Sequence, residues 1–379
     1  MKENEYIFDL FENEMEEDLE ESSEISVDSF EKTLVIPMDL SVEMISSWFT
    51  AQKIIMDPAF QRRYVWNEKL KSTFIESLIL NVPIPSILIA NDTEKNKFIV
   101  IDGKQRLNAI ISFIAPDKGG RGFRLKGLKV LKDLNGLTYK KMLDDSTKSK
   151  YLNNIENAII KANILRNYNN DVLYFIFNRL NSGSVPLSSQ ELRQSLYAGE
   201  FVNFVNEYSI SSPGIKRILS LKAPDKRMRD AELLVRFFAF KLFSSNYNGS
   251  INDFFNETCD KLNKSWDEQR STVENCVKEF ENAVSFIYEH FGDEAFKVYF
   301  IKDGKEFFGP FNRPMFDLLT TFFSDAENRD FVIKNGIDLK AFLINLFKNN
   351  KKFADAFLPT THSKEKTTTR IDEFKKALS

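Results

Sequence analysis

Phe98-Ile99-Val100-Ile101-Asp102-Gly103-Lys104-Gln105-Arg106-Leu107-Asn108-Ala109-Ile110-Ile111-Ser112-Phe113 joins two hydrophobic periodicities in sixteen residues. Phe98 to Ile101 is a short continuous apolar run, the pattern of a buried strand. From Leu107 the apolar residues recur at helical spacing through Ile110, Ile111 and Ile114. Asp102 to Arg106 therefore forms a strand-to-helix turn. The first N–H groups of a helix have no internal partner, and the helix dipole favours negative charge there, so such a turn suits an anion. Gly103 permits close backbone approach, Lys104 and Arg106 supply positive charge, and Asp102 can position a metal ion, a water or a ribose hydroxyl. The plainer reading is an ordinary Asp-Gly turn with a helix cap.

Working upstream, Asp57-Pro58-Ala59-Phe60-Gln61-Arg62-Arg63-Tyr64-Val65-Trp66 crowds two arginines, a glutamine and two large aromatics into six positions. Arginine forks bind phosphate bidentately, and Tyr64 or Trp66 can stack on a base. The alternative is that Tyr64, Val65 and Trp66 are core residues and the arginines lie on the surface. Around these stretches the patterning predicts a strand at 33–37, a helix over 41–51 capped by Asp39 or Ser41, and a strand at 54–56. A helix capped by Asn67 then runs to Leu80, with Leu70, Phe74, Ser77 and Leu78 on one face. Pro83-Ile84-Pro85 is a rigid connector before a strand at 86–90. The basic, Gly-rich stretch 116–136 reads as a flexible surface loop or hairpin, 138–154 as a helix, and 158–165 as a strand that completes the sheet.

The chain of 379 residues is 42% hydrophobic, enough for a full core and two domains. With 36 Phe and 14 Gly it favours helix-rich aromatic packing over a β-sandwich. Two histidines, His290 and His362, exclude a metal site of several histidines. Cys259 and Cys276 lie in helical patterns and read as reduced, buried thiols. No apolar run approaches the roughly 20 residues that span a bilayer, and the N-terminus is acidic, so neither a membrane partner nor a signal peptide is expected and the protein reads as cytoplasmic. Residues 1–31 hold 13 acidic residues and one lysine, which leaves a basic surplus on the rest of a chain whose net charge is −3. Such a surplus is compatible with polyanion binding, or with a solvated surface beside an acidic tail.

The motifs occur in an order that closely resembles the N-terminal domain of the GmrSD type IV restriction endonuclease family, a ParB/sulfiredoxin-like domain. Phe60-Gln61-Arg62, Tyr64-Val65-Trp66, Pro83-Ile84-Pro85 and Ile101-Asp102-Gly103-Lys104-Gln105-Arg106-Leu107 carry the resemblance first. Phe177-Asn178-Arg179-Leu180-Asn181-Ser182-Gly183, Glu191-Leu192-Arg193-Gln194-Ser195-Leu196-Tyr197 and Arg229-Asp230-Ala231-Glu232-Leu233-Leu234-Val235-Arg236 continue it. It implies a nucleoside triphosphate as cofactor, with Mg2+ as a candidate companion, in defence against phage or foreign DNA. Asp102, Gln105 and Arg106 are then the catalytic candidates: Asp102 for metal or water handling, Gln105 for orienting a phosphate or water, and Arg106, with Arg62 and the Gly103 region, for phosphate. Gln61, Arg62, Tyr64, Trp66, Gly103, Lys104, Asn181 and Arg193 are the nucleotide-binding candidates, the last two alternatively a helix cap and an ion-pair partner. The family usually shows Asp-Gly-Gln-Gln-Arg, and Lys104 departs from it.

The expected fold class is α+β: an acidic, disordered tail over 1–30, a ParB/sulfiredoxin-like domain over 31–167, and an all-helical domain over 168–379. Helices are expected at 228–243, 250–263, 267–291, 312–323, 327–334, 337–348 and 364–378. Asp303-Gly304-Lys305 reads as a turn and 307–314 as a connector, with Thr367 to Arg370 near a basic surface. Neither histidine has a His-Asn-His nuclease setting, so DNA and a separate effector or nuclease protein are the expected partners, with a homo-oligomer as an option. The rival readings are a regulatory module that binds nucleotide or DNA without turnover, and a metal-dependent DNA nickase. No cysteine lies in the central turn, which disfavours a sulfiredoxin-like reductase.

Overall fold

The computed structural model describes residues 30–55, 66–93, 96–115, 122–169, 172–173, 175–176, 179, 188–225, 227–302, 305–357 and 363–378. The fold is α+β, as the patterning predicts. Contacts group the described residues into two compact units, one taking those up to 179 together with 191–196, the other taking 188–190 and 197–378.

The first unit is built on a five-stranded mixed sheet in the order β1-β5-β3-β4-β2. The strands are β1 (Leu34–Ser41), β2 (Ile54–Ile55), β3 (Ile87–Asp92), β4 (Lys97–Asp102) and β5 (Ile159–Arg166). β3 lies between β4, antiparallel, and β5, parallel, and its apolar run Ile87 to Ala90 is wholly buried. An uninterrupted apolar run suits a strand covered on both faces. β1 pairs antiparallel with β5 and forms an edge, which accommodates Pro37 in the strand and the exposed Leu34 and Val35.

Three helices pack on this sheet: α1 (Val42–Thr50), α2 (Glu68–Ile79) and α3 (Lys104–Ile114). The expected caps are present, Ser41 Oγ accepting from Met44 N at 3.1 Å and Asn67 Oδ1 from Leu70 N at 2.9 Å. Trp48 of α1 stacks on Phe98 with ring centroids 4.5 Å apart. α3 contacts both α1 and α2 and is buried almost all round, including Lys104, Asn108 and Ser112. Leu70 is a correction: it is half exposed, because the face of α2 that packs inward runs through Lys71, Phe74, Ile75, Leu78 and Ile79. The region 138–154 is not one helix either, since α4 (Tyr139–Leu143) and α5 (Ser149–Glu156) are separated by a turn in which Asp145 accepts from Thr147 N.

The Gly-rich basic stretch departs most from expectation. Over 122–137 it is stapled to the unit rather than loose, with Phe123, Leu125 and Leu128 in the core. Ser72 Oγ accepts from Lys126 N, and the buried Glu76 carboxylate accepts from Lys129 N, Val130 N and Leu131 N at 3.1, 2.8 and 2.8 Å. Those three amides are occupied by an internal anion and are not open to a phosphate. Residues 116–121 of the stretch lie outside the described residues.

The second unit is helical around α9 (Arg229–Phe243), with α7 (Glu200–Ser211), α8 (Pro213–Ile218), α10 (Ile251–Lys264) and α11 (Trp266–Phe291). It continues as α12 (Arg313–Ser324), α13 (Ala326–Lys334), α14 (Leu339–Asn349), α15 (Lys351–Asp355) and α16 (Lys364–Leu378). The predicted helices hold within two residues at each end. Phe201, Phe237, Phe238, Phe255, Phe280, Phe296 and Phe316 are completely buried and form much of the core. Cys259 and Cys276 are buried free thiols. Two expectations change. The second unit is not all-helical, because Lys297–Lys302 (β6) and Lys305–Phe311 (β7) pair as an antiparallel hairpin where the sequence reads as turn and connector. Alternation of Tyr299 and Ile301 against Phe308 and Glu306 is the signal that the aromatic density obscures. Thr367 and Arg370 are buried rather than on a basic surface. Asp303 and Gly304 lie outside the described residues.

Candidate functional site

The turn sits where β4 ends and α3 begins. Gly103 holds a left-handed conformation, with φ at +95°, and a Cβ there would lie 2.3 Å from Ile87 Cγ2. Glycine is required on both counts. Helix α3 has no side-chain cap. The acid beside it takes that place from the preceding position: Asp102 Oδ1 accepts from Gly103 N at 2.7 Å, and Asp102 Oδ2 accepts from Arg106 Nη2 at 2.8 Å. A carboxylate at a helix N-terminus is favoured by the dipole as well as by these bonds.

Arg106 reaches back to the Pro83-Ile84-Pro85 connector. Its Nη1 donates to the carbonyls of Pro85 and, at 3.2 Å, Ser86. The guanidinium thus ties the α3 start to the loop that feeds β3, and its side chain is 14% exposed against 45% for Asp102. The pair has an open, acidic side and a closed, basic side. Sequence reasoning missed the carbonyl acceptors, because main-chain oxygens carry no residue signature.

Gln105 makes the second long-range link. Its Oε1 accepts from Trp66 N at 3.1 Å. The Trp66 ring packs edge-on against Phe74, centroids 5.6 Å apart, and joins the core as a half-buried member. Trp66 and Gln105, 39 positions apart, are therefore brought together, with Trp66 in the core role that the sequence left open. Lys104 is buried at the first turn of α3. Gln61, Arg62, Tyr64 and Asn181 lie outside the described residues. Arg193 is described and buried in α6 (Ser189–Leu196), among the equally buried Gln190, Glu191 and Gln194. A guanidinium so buried keeps its charge only with compensating partners.

Among the described residues no three His, Cys, Asp or Glu side chains gather as a metal cage. A phosphate-bound Mg2+ needs no such cage, since it is commonly held by one or two carboxylates, waters and the phosphates themselves, and the half-exposed Asp102 meets that limited requirement. His290 is half-buried in α11, its ring 4.3 Å from that of Phe286. His362 lies outside the described residues. No helix among the described residues is long and apolar enough to cross a membrane.

A motif within the helix expected at 228–243 proves to be ionic. In Arg229 to Arg236, Arg229 pairs with Asp225, Glu232 with Arg313, and Arg236 bidentately with Asp317, all buried. Asp225 Oδ1 also accepts from Arg227 N and Arg229 N, which caps α9 from outside the helix.

The first unit is thus a small mixed-sheet domain whose distinguishing feature is a glycine-dependent strand–turn–helix junction. Residues 45–198 match the family model described as GmrSD restriction endonuclease, N-terminal domain, which supports the resemblance carried by the motifs. That family implies a component of a phage-defence restriction system. No curated protein and no solved structure matches the chain.

Proposed function

We propose that the protein binds and hydrolyses a nucleoside triphosphate at the Asp102 to Arg106 junction, and couples this to sensing foreign DNA or to licensing a partner effector. The observation that carries the reading is the junction itself, in which a left-handed glycine turns the chain into the N-terminus of α3 beside a half-exposed carboxylate. The Lys104 and Gln105 amides with the Lys104 charge are suited to phosphate. Asp102 would hold Mg2+ or a water, and the metal, when bound, supplies charge neutralisation between phosphates. Arg106 and Gln105 act here as positioning residues, since one braces Asp102 against the Pro85–Ser86 carbonyls and the other holds the Trp66 backbone. DNA and a separate nuclease or effector are the partners this reading requires.

A second reading has its own support. Arg106 already spends donors on Asp102 and two carbonyls, which leaves less of its charge for a transition state. On that reading the module binds nucleotide or DNA without turnover and gates a partner. The test is phosphate release from ATP, GTP, CTP and UTP, with and without DNA, for wild type and Asp102→Ala. Release lost in the variant is the expected result. Saturable nucleotide binding without release selects the second reading, and neither binding nor release overturns both.

A further inference from the structure

In the first unit the stretch 122–132, Gly-Phe-Arg-Leu-Lys-Gly-Leu-Lys-Val-Leu-Lys, holds four cations and no acid. Phe123, Leu125 and Leu128 enter the core, while Arg124, Lys126, Lys129 and Lys132 are exposed. The main chain beneath these cations is held on both sides. Ser72 and Glu76 of α2 take the amides of 126 and 129–131. Leu125 N donates to Leu137 O at 2.9 Å, Gly136 N to Leu125 O at 2.7 Å, and Leu128 N to Asn135 Oδ1 at 3.1 Å. Gly127 is left-handed, with φ at +70°, and a Cβ there would stand 3.4 Å from Lys69 Cε. The stem of the exposed Lys69, from α2, thus lies along the stretch and joins the same surface. Lys126 is paired with Glu68 at 2.6 Å, and the adjoining Asp133 with Lys148 at 3.2 Å. Lys69, Arg124, Lys129 and Lys132 form no ion pair among the described residues. The result is a cationic ridge on a hydrogen-bonded support.

We propose that this ridge is the surface on which the protein receives the sugar–phosphate backbone of duplex DNA. The proposal rests on the DNA partner of the proposed function, and not on the chemistry of the Asp102 junction. The ridge itself selects the ligand. Exposed lysine and arginine side chains displace the counterions condensed on a duplex, whose charge spacing of about 1.7 Å along the axis is denser than that of an acidic protein segment. The amides of 126 and 129–131 are spent internally, so contact there is through side chains. Phe123 is buried, and the stretch exposes no aromatic ring on which an unpaired base could stack; a single strand gains charge contacts there and nothing more. Contacts of this kind position a duplex without reading its sequence.

The test uses the full chain without nucleotide. Fluorescence anisotropy follows binding of a short labelled duplex of mixed sequence, and of its single strand, across a salt series, with poly-glutamate as competitor. The ridge variant carries Lys69→Gln, Arg124→Gln and Lys132→Gln; Lys129 is kept because its charge also serves Glu76. A comparison variant, Lys53→Gln, Lys97→Gln and Lys161→Gln, removes three exposed charges beside β2, on β4 and on β5. The ridge variant should bind the duplex at least about tenfold more weakly, with a plot of log K against log salt shallower by about 2–3, since each phosphate contact contributes about 0.9. The comparison variant should stay near the wild type. If the triple ridge variant does not fold, Lys69→Gln alone decides, with a slope shallower by about 1. Equal weakening in the two variants, a single strand bound as tightly as the duplex, or displacement of the duplex by poly-glutamate at equal charge overturns the proposal. Duplex binding by the wild type that the ridge substitutions leave unchanged overturns this assignment alone. A wild type that binds no duplex overturns it together with the DNA partner, while phosphate release tests the junction separately.

Discussion

Two helices in this protein begin with the same device, an aspartate paired to the arginine four residues on. Asp102–Arg106 opens α3 and Asp225–Arg229 opens α9. Both carboxylates also accept from a main-chain N–H at the helix start. They differ in burial: the Asp102 side chain is 45% exposed and that of Asp225 is 4% exposed. The open pair retains a face for a ligand and contributes little to stability. The closed pair has no such face, and loss of either partner strands a charge in the interior. Identical spacing and chemistry leave a carboxylate open in one place and seal it in the other, and solvent access makes the difference.

The sharpest way to break the comparison is Asp225→Ala. It removes the carboxylate partner of the buried Arg229 and uncaps α9, so a loss of about 3–5 kcal/mol is expected in urea denaturation; a loss below about 1 kcal/mol would mean the closed pair is no more structural than the open one. Gly103→Ala comes next. A Cβ there meets Ile87 and forces an unfavourable φ, at a cost of about 2–4 kcal/mol with phosphate release impaired. A variant of unchanged stability and activity would remove the steric basis assigned to the junction.

Glu76→Gln should cost about 2 kcal/mol, because charge-assisted bonds to three amides become neutral ones. Burial raises the Glu76 pKa, but the Leu131, Lys129 and Val130 amides and the Lys129 charge outweigh it, and the net shift is below the ordinary 4.5. A depressed folded-state pKa stabilises above the unfolded value and is lost as pH falls through the folded one. The wild type should therefore lose this contribution below about pH 4.5, and the variant should show a flatter acid limb in denaturation profiles; parallel limbs would refute the assignment. The smallest stability effect is expected for Asp102→Ala, under about 1 kcal/mol, with phosphate release abolished. A large stability loss there would erase the contrast between the pairs, since the open one would then be structural too.

Much of the first unit was legible along the chain. Local chemistry set the Ser41 and Asn67 caps, the β4–α3 switch at Asp102-Gly103, and the helix boundaries of the second unit. The β6–β7 hairpin was not legible, because an aromatic-rich strand with little polar alternation gives no clear period. Nor was the capture of the 129–131 amides, since Glu76 lies more than 50 residues before them and its reach depends on how α2 packs. Of the candidate site residues, Asp102, Gly103 and Arg106 were grouped by sequence proximity, whereas the Gln105–Trp66 bond needed the folded chain.

By itself the sequence determined most of the elements, the order of motifs, and the caps at Ser41 and Asn67, because caps and turns act over one or two helical turns. Only the tertiary structure decided which pair is open and which is sealed, that α9 is an ionic rather than a merely apolar helix, and that the exposed cations of 122–132 share a surface with Lys69. Burial and long-range charge compensation depend on distant segments meeting, and no local pattern encodes that meeting.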